Sequence, residues 1–288
     1  MDMSETPFAS TAVVTVSYNS GSHLRAFLSS IRATESANIM IVVADNGSAD
    51  LEETRVACGE YSALLLELGD NYGYGGAINR AIKSLPSEIG AVLISNPDVE
   101  FGGGAIATLQ RTLQEMPSAG AIGPRVLNAD GSIYPSAREL PSLRTGIGHA
   151  LFGQVWPTNP WTMRYLSDFS ESDEQREAGW LSGSCLLVRR AAFESLGGFD
   201  DSFFMYFEDV DLGYRLGKAG WANVYAPTAV LTHTGAHSTN TDSSRMIVAH
   251  HRSAYLYLSR KYDRWYFAPL RGALRVGLAL RARWLSRT

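Results

Sequence analysis

Cysteine is almost absent: Cys58 and Cys185 are the two thiols in 288 residues. They are widely separated and lack metal-ligand spacing, which fits a reducing compartment rather than a disulfide framework. No uninterrupted apolar run reaches the about 20 residues that a membrane-spanning helix needs. The opening "MDMSETPFAS" has no basic-then-apolar leader pattern, so the expected location is the cytoplasmic side. Internal repeats, low-complexity segments and a Walker lysine–hydroxyl pair are also missing. What remains is 45% hydrophobic and 10% aromatic, ample for a large core. The length suits one large domain, or one domain with an appendage.

Acidic residues are scarce at one end. After residue 244 the chain holds ten of its 25 basic residues and one of its 29 acidic residues, Asp263. Residues 1–244 therefore hold 15 basic and 28 acidic residues. An acidic body argues against a nucleic-acid partner. The basic tail contains Trp265, Tyr266 and Trp284, which suits an anionic membrane surface. A partner subunit, giving a homo-oligomer, fits the same tail.

The first 120 residues alternate strand and helix patterns. "AVVTVSY", "IMIVVADNGS", "ALLLEL" and "AVLISNPDV" read as strands, with "SHLRAFLSSIRA" and "AINRAIKSL" among the intervening helices. Ser22 is the expected N-cap of the first helix. Such alternation predicts right-handed crossovers and a mostly parallel sheet. Ligands of such sheets sit beyond the carboxyl ends of the strands. Tyr18, Asn19, Asp45, Asn46, Asn71, Asn96 and Asp98 fall there.

After residue 125 the pattern becomes irregular. Asp130-Gly131 marks a hairpin turn, and residues 140–178 read as loop-rich. "GWLSGSCLLVRR" returns to strand character, "NVYAPTAVLTHTGAH" reads as one or two strands, and a helix is expected from Ser243 to Tyr262.

Several residues carry two readings. Asp45 is either a turn-capping residue or a carboxylate for the ring N–H of a pyrimidine base. "NYGYGGAIN" is a phosphate or sugar loop at a helix N-terminus, or a tight turn. It is not a dinucleotide fingerprint, because Ile78 stands where the third glycine belongs. Asn96 and Asp98 could offer hard oxygens to a divalent cation bridging two phosphates, or form a Pro-Asp turn. His233 is a structural histidine or a metal or phosphate ligand. In "FFMYFEDVDLGYRL", Glu208, Asp209 and Asp211 would suit the first turn of any helix. Their place behind an aromatic run that excludes water also suits a general base.

Taken in order, "VVTVSYN", "VVADNGS", "NYGYGGAIN", "SNPDV", the stretch from "GWLSGSCLLVRR" through "FFMYFEDVDLGYRLGKAGW", and "LTHTGAHS" resemble the inverting family-two glycosyltransferases of GT-A fold, in the bacterial rhamnosyltransferase branch. The resemblance covers roughly residues 10–240. It implies an α/β, Rossmann-like, mostly parallel central sheet flanked by helices, with a C-terminal helical extension. It divides the chain into a transferase domain at 1–241, with a donor half at about 10–125 and an acceptor half at about 126–241, and a helical tail at 242–288.

The resemblance implies roles. Asp209 would be the catalytic base, and Glu208, Asp211, Trp180, Ser182 and Gly183 would orient or border the acceptor. Tyr18, Asn19, Asp45, Asn46, Asn71, Gly73, Gly75, Gly76, Asn79 and Asn96 would line the sugar nucleotide. Asp98 and His233 would hold Mg2+ or Mn2+. "IYPSARELPSL", "WPTNPWT" and the basic tail are similar to actinobacterial cell-wall linker transferases. That narrower likeness implies transfer of L-rhamnose from dTDP-rhamnose to the 3-hydroxyl of GlcNAc-diphosphoryl-polyprenol, at the cytoplasmic face of the plasma membrane. Another nucleotide sugar, another glycan acceptor, or a silent sugar-nucleotide-binding protein stays open on the residues alone. In the tail, Phe267, Leu270, Leu274, Leu278 and Leu285 form the expected apolar face, interrupted by Arg281.

Overall fold

The computed structural model describes residues 10–34, 39–142, 172–235 and 243–285, with isolated positions at 156, 158 and 160. Most of "WPTNPWT", His237 and the side chain of Leu285 lie outside the described residues.

Four strands build the parallel half of the main sheet: β1 (Ser10–Ser17), β2 (Met40–Asp45), β3 (Leu64–Glu67) and β4 (Ile89–Ser95). They lie in the order β3-β2-β1-β4, joined by α1 (Gly21–Thr34), α2 (Leu51–Glu60) and α3 (Gly73–Lys83). β5 (Val99–Phe101), α4 (Ala105–Glu115), β6 (Ala119–Asn128), β7 (Ile133–Tyr134) and β8 (Ala137–Arg138) follow. β9 (Arg176–Ala178), β10 (Trp180–Leu181), β11 (Cys185–Arg189), α5 (Arg190–Ser195), α6 (Glu208–Lys218) and β12 (Ala222–His233) complete the body. The sheet continues β4-β11-β6-β12-β5, where β11 runs antiparallel to both neighbours and β12 parallel to β6. α7 (Ser243–Lys261), a short 3-10 turn (Trp265–Phe267) and α8 (Ala268–Leu285) end the described chain.

Strand residues alternate between two cores, as the period of two requires. Val13, Ile41, Val43 and Leu93 pack under α1 and α4 with Phe27, Ile31, Ile106 and Leu109. Ala12, Val14, Val42 and Ile94 pack under α3, α5 and α6 with Ile78, Ile82, Phe193, Leu212 and Leu216. Both faces are covered, so the inner strands read as continuous apolar runs.

Two details depart from expectation, and a third is settled within it. α1 starts at Gly21, after Ser20, whose carbonyl accepts from His23 and Leu24; Ser22 sits inside the first turn. Asp50 from the next loop accepts the Gly21 N–H at 2.9 Å, doing what a local cap would have done. "GWLSGSCLLVRR" is not one strand. β10 pairs with β8 in a separate two-stranded sheet, β11 joins the main sheet, and Ser182-Gly183-Ser184 crosses between them. The crossing is a local serine turn in which Ser184 N–H donates to Ser182 Oγ at 3.2 Å. "NVYAPTAVLTH" forms a single strand, β12, with a register shift between Ala226 and Val230 around Pro227.

Candidate active site

The carboxyl ends of β2, β4 and β12 and the amino end of β11 meet at one edge of the sheet, because Cys185 pairs with Ser95 and β12 runs parallel to β6. Topology therefore gathers Asp45, Asn96, Asp98, Ser182, Gly183 and His233 around one crevice.

On the nucleotide side, Asp45 is 2% exposed and its Oδ1 accepts from the N–H groups of Gly47 (3.1 Å) and Ser48 (3.0 Å). Its Oδ2 is buried without a hydrogen-bond partner among the described residues, which is costly for a carboxylate unless it has a use. Tyr18 is 43% exposed on the loop after β1. Asn19 takes a left-handed φ of 52° and its Oδ1 accepts from Ala49 N–H at 2.8 Å, joining the first two loops. Asn46 and Asn71 fasten the start of α3: Asn46 Nδ2 donates to Asn71 Oδ1 at 3.0 Å, and Tyr72 N–H donates to Asn46 Oδ1 at 2.9 Å.

The glycine-rich stretch is the first turn of α3 rather than a free loop. Gly73 has φ +73°, and a Cβ there would stand 2.1 Å from the Phe204 carbonyl oxygen, so only glycine fits. A Cβ on Gly75 would press on Phe199 and one on Gly76 on Tyr72, so both glycines face packed neighbours. Asn79 is likewise fully engaged, donating to Phe199 O and Asp201 Oδ1 and accepting from Phe199 N–H. These glycines and Asn79 bring the segment before α6 onto α3.

The candidate metal pair forms through strand pairing. His233 pairs with Val99 between β12 and β5, and Thr234 N–H donates to the Asp98 carbonyl at 2.9 Å. His233 Nε2 then lies 3.1 Å from Asp98 Oδ1 and 3.5 Å from Asn96 Nδ2. A hard carboxylate oxygen beside an imidazole suits Mg2+ or Mn2+. Among the described residues no group of three His, Cys, Asp or Glu forms a closed cage. That agrees with ions that take one or two protein ligands and fill their shell from phosphate and water. The residues present therefore fit a diphosphate-bridging cation.

Asp209 and Glu208 open α6 in an unusual way. Tyr206 (φ 65°) and Phe207 (φ 68°) are both left-handed, a strained conformation for aromatic residues, and Phe207 is the N-cap. Gly183 N–H donates to Asp209 Oδ2 at 2.9 Å and Val210 N–H to Oδ1 at 2.8 Å. Burial raises the Asp209 pKa, while those backbone donors pull the other way. Glu208 is 7% exposed, and its Oε2 has no hydrogen-bond partner among the described residues. Burial first, then the Asp209 charge, holds the Glu208 carboxyl well above the usual range.

Two tyrosines outside the expected set complete the crevice. Tyr74 O–H donates to the Gly183 carbonyl at 2.7 Å. Burial raises its pKa most, and the charges of Glu208, Asp209 and Asp98 reach it as well. Tyr134 stands edge-on to His233 at 5.5 Å. Its pKa is also raised, chiefly by burial, with the charges of Asp209 and Asp98 adding to it. Both were visible inside "NYGYGG" and "IYPSARELPSL", but an aromatic in such a stretch carries no mark of which wall it will form.

Two residues of the expected acceptor set have structural partners of their own. Asp211 is 5% exposed and pairs with Arg215 at 2.5 Å, whose guanidinium also donates to the Leu196 and Gly198 carbonyls. Trp180 packs on α6, where a Cβ on Gly213 would stand 2.6 Å from Trp180 Cβ, and its indole N–H donates to the Glu139 carbonyl. Ser182, by contrast, is at the crossing, with its N–H on the Ser136 carbonyl and its Oγ 3.0 Å from Ser184 Oγ.

The strained segment is held from behind by α7. Ser253 Oγ donates to the Met205 carbonyl at 2.8 Å, and His250 lies edge-on to Tyr206 (5.5 Å) and Phe207 (5.4 Å). Tyr257, 1% exposed, joins Phe203 and Val210 in a small separate core. Arg260 pairs with Asp200 at 2.6 Å and donates to Ser202.

The chain has known relatives. The family model "Glycosyltransferase like family 2" matches residues 7–268. The N-acetylglucosaminyl-diphospho-decaprenol L-rhamnosyltransferase of Mycobacterium tuberculosis is 46% identical over 285 residues, covering 96% of this chain and 92% of that protein. The rhamnosyltransferase WbbL of Escherichia coli is 27% identical, over 86% of this chain and 92% of its own. Among solved structures, the mannosyltransferase PcManGT from Pyrobaculum calidifontis in complex with GDP-Man and Mn2+ superposes with a TM-score of 0.61 at 16% identity, covering 97% of this chain and 72% of that one. With the sheet, the crevice and these relatives in agreement, the chain belongs to glycosyltransferase family 2 and is an inverting glycosyltransferase of GT-A fold.

Proposed function

We propose that this enzyme transfers L-rhamnose from dTDP-β-L-rhamnose to the 3-hydroxyl of GlcNAc-diphosphoryl-polyprenol, making the cell-wall arabinogalactan linker. The observation that carries the reading is the Asp209 carboxylate held by Gly183 N–H in the same crevice as Asp98 and His233. The 46% identity to the mycobacterial L-rhamnosyltransferase supports the sugar and the acceptor.

Each residue has a part in the mechanism. Asp45 Oδ2, unpartnered and buried, would accept the thymine ring N–H, with Tyr18 beside the base. Asp98 and His233, with Asn96 beside them, would hold Mg2+ or Mn2+, which would supply positive charge to the departing diphosphate. Asp209 accepts the proton of the acceptor hydroxyl as that oxygen attacks the anomeric carbon from the face opposite the diphosphate. The new C–O bond forms as the bond to dTDP breaks, and a β-linked donor gives an α-linked product. The raised proton affinity of Asp209 makes it a stronger base than an exposed aspartate. Glu208, kept beside it in a site of the same polarity, would orient the acceptor. A lipid-linked acceptor supports a peripheral position for the enzyme, at the cytoplasmic face of the plasma membrane.

The test is incubation with dTDP-rhamnose and a short, water-soluble GlcNAc-diphosphoryl lipid, with and without Mg2+ or Mn2+. Expected is a rhamnosylated product whose formation stops on chelation and returns with either ion. Transfer from a different nucleotide sugar in preference, or unchanged turnover in chelator, overturns the reading.

A further inference from the structure

The last helix has two apolar faces, and one of them is already used. Phe267, Leu270, Leu274, Leu278 and Ala282 are the covered positions of the terminal segment, and α8 packs chiefly on α7. The stripe that the sequence offered to a membrane is thus turned inward. On the opposite side Pro269, Ala273, Val276 and Leu280 recur at i, i+4, i+7 and i+11, and all four are exposed. The two larger ones, Val276 and Leu280, are 59% and 60% exposed. Trp265, 84% exposed, and Tyr266, 53% exposed, stand just before α8 on the 3-10 turn. Single exposed apolar residues need no explanation, but an ordered row with aromatics at its end does.

The charges around the row say what covers it. α8 has Arg271, Arg275, Arg281 and Arg283 and no acidic residue. Arg271 bonds back to the Tyr262 and Arg264 carbonyls. At 100° per residue, the exposed Arg275 and Arg281 fall on opposite sides of the helix, about 130° and 110° from the middle of the row, from where long side chains bend back toward a headgroup layer. A two-fold contact between copies of this face would bring arginines together with no carboxylate on the helix to meet them. A bilayer with anionic headgroups takes the apolar row and the flanking arginines together, with the aromatics at the interface.

We propose that the outer face of α8, Pro269, Ala273, Val276 and Leu280 with Trp265 and Tyr266, is the surface on which the enzyme lies against an anionic phospholipid bilayer, with Arg275 and Arg281 on the headgroup phosphates. The placement also serves catalysis. α8 packs on α7, whose His250 touches Tyr206 and Phe207 just ahead of Glu208 and Asp209. The docked helix therefore stands beside the segment that must meet a sugar carried on a membrane lipid. That purpose rests on the reading of the acceptor given above; the docking itself does not.

The experiment is co-sedimentation of the full chain with vesicles of equal parts phosphatidylglycerol and phosphatidylcholine, and with pure phosphatidylcholine vesicles, at low and high salt. No sugar substrate is present, so failure here is separate from failure of the transferase assay. Wild type is expected to bind the anionic vesicles and to be released by salt. Val276→Glu with Leu280→Glu should weaken binding about tenfold or more. Arg275→Gln with Arg281→Gln should weaken it about fivefold per arginine and flatten the salt dependence. Both variants should keep wild-type turnover on the water-soluble acceptor. If the glutamate pair does not fold, the exposed arginine pair decides. Wild-type binding in the arginine or the glutamate variant overturns the proposal. So does a wild-type dimer that dissociates in those variants, which would make the face a subunit contact.

Discussion

α7 and α8 follow one another in the same basic stretch, yet they use their charge and apolar surface in opposite ways. In α7 two cations are turned to the body: Arg260 pairs with Asp200, and Lys261 Nζ donates to the Pro141 carbonyl at 2.7 Å. Its Tyr257 and Ser253 are buried against the segment that leads to Asp209. In α8 Arg275 and Arg281 remain exposed and the outer apolar row is uncovered. A charge-rich tail is therefore not one functional unit. The first helix props the segment that leads to Asp209, and the second leaves an apolar row uncovered.

Four measurements bear on that contrast. Asp209→Asn should cut turnover about a hundredfold or more with donor affinity nearly intact, since the loss is that of a general base; this sets the ceiling for anything α7 does through it. Tyr257→Ala should cost about 3–5 kcal/mol of stability in denaturant unfolding, as removal of a fully buried aromatic does. Val276→Ala in α8 should stay within about 0.5 kcal/mol. Equal losses would erase the distinction between the helices. Ser253→Ala should lower kcat by about two- to tenfold at unchanged donor KM, the worth of one hydrogen bond to a strained backbone, and Ser253→Thr should restore it. A purely structural role for Ser253 would lower the melting temperature and leave kcat alone.

A further effect is one of pH. The raised pKa of folded Glu208 means that the native state keeps its proton after the unfolded chain, near the reference value of 4.5, has lost it. Native protein then binds more protons, and its stability falls as pH rises from about 4.5 toward the raised value. Glu208→Gln removes that slope, so its melting temperature should gain on wild type steadily from pH 5 to neutrality. A constant difference across that range would place the Glu208 proton elsewhere.

Much of the fold was legible because it is written locally. Alternating strand and helix periods announced β1 to β4, and Asp130-Gly131 announced the β6–β7 hairpin, where Gly131 takes φ +82°. Asp45, Asp98 and Asp209 were legible too, since each stands at a strand end or a helix start. The rest depends on partners that a local pattern does not name. Asp211 looks like its neighbours Glu208 and Asp209 in sequence, but one helical turn on stands Arg215, which captures it. Trp180 and Gly183 are three residues apart, and the crossing between two sheets sends one into packing and the other to Asp209. The inward stripe of α8 has correct helical spacing, and spacing alone does not choose between α7 and a lipid.

The crossing at Ser182-Gly183-Ser184 ties the Asp209 carboxylate to the core of the molecule. Gly183 hands its N–H to Asp209 at 2.9 Å from between β10, whose Leu181 lies buried with Leu212 and Leu216 of α6, and β11 of the main sheet. Active sites are sensitive to displacements of an ångström, and a carboxylate anchored in close packing does not drift by that much while the core is intact. Loss of activity on heating should accordingly coincide with loss of structure.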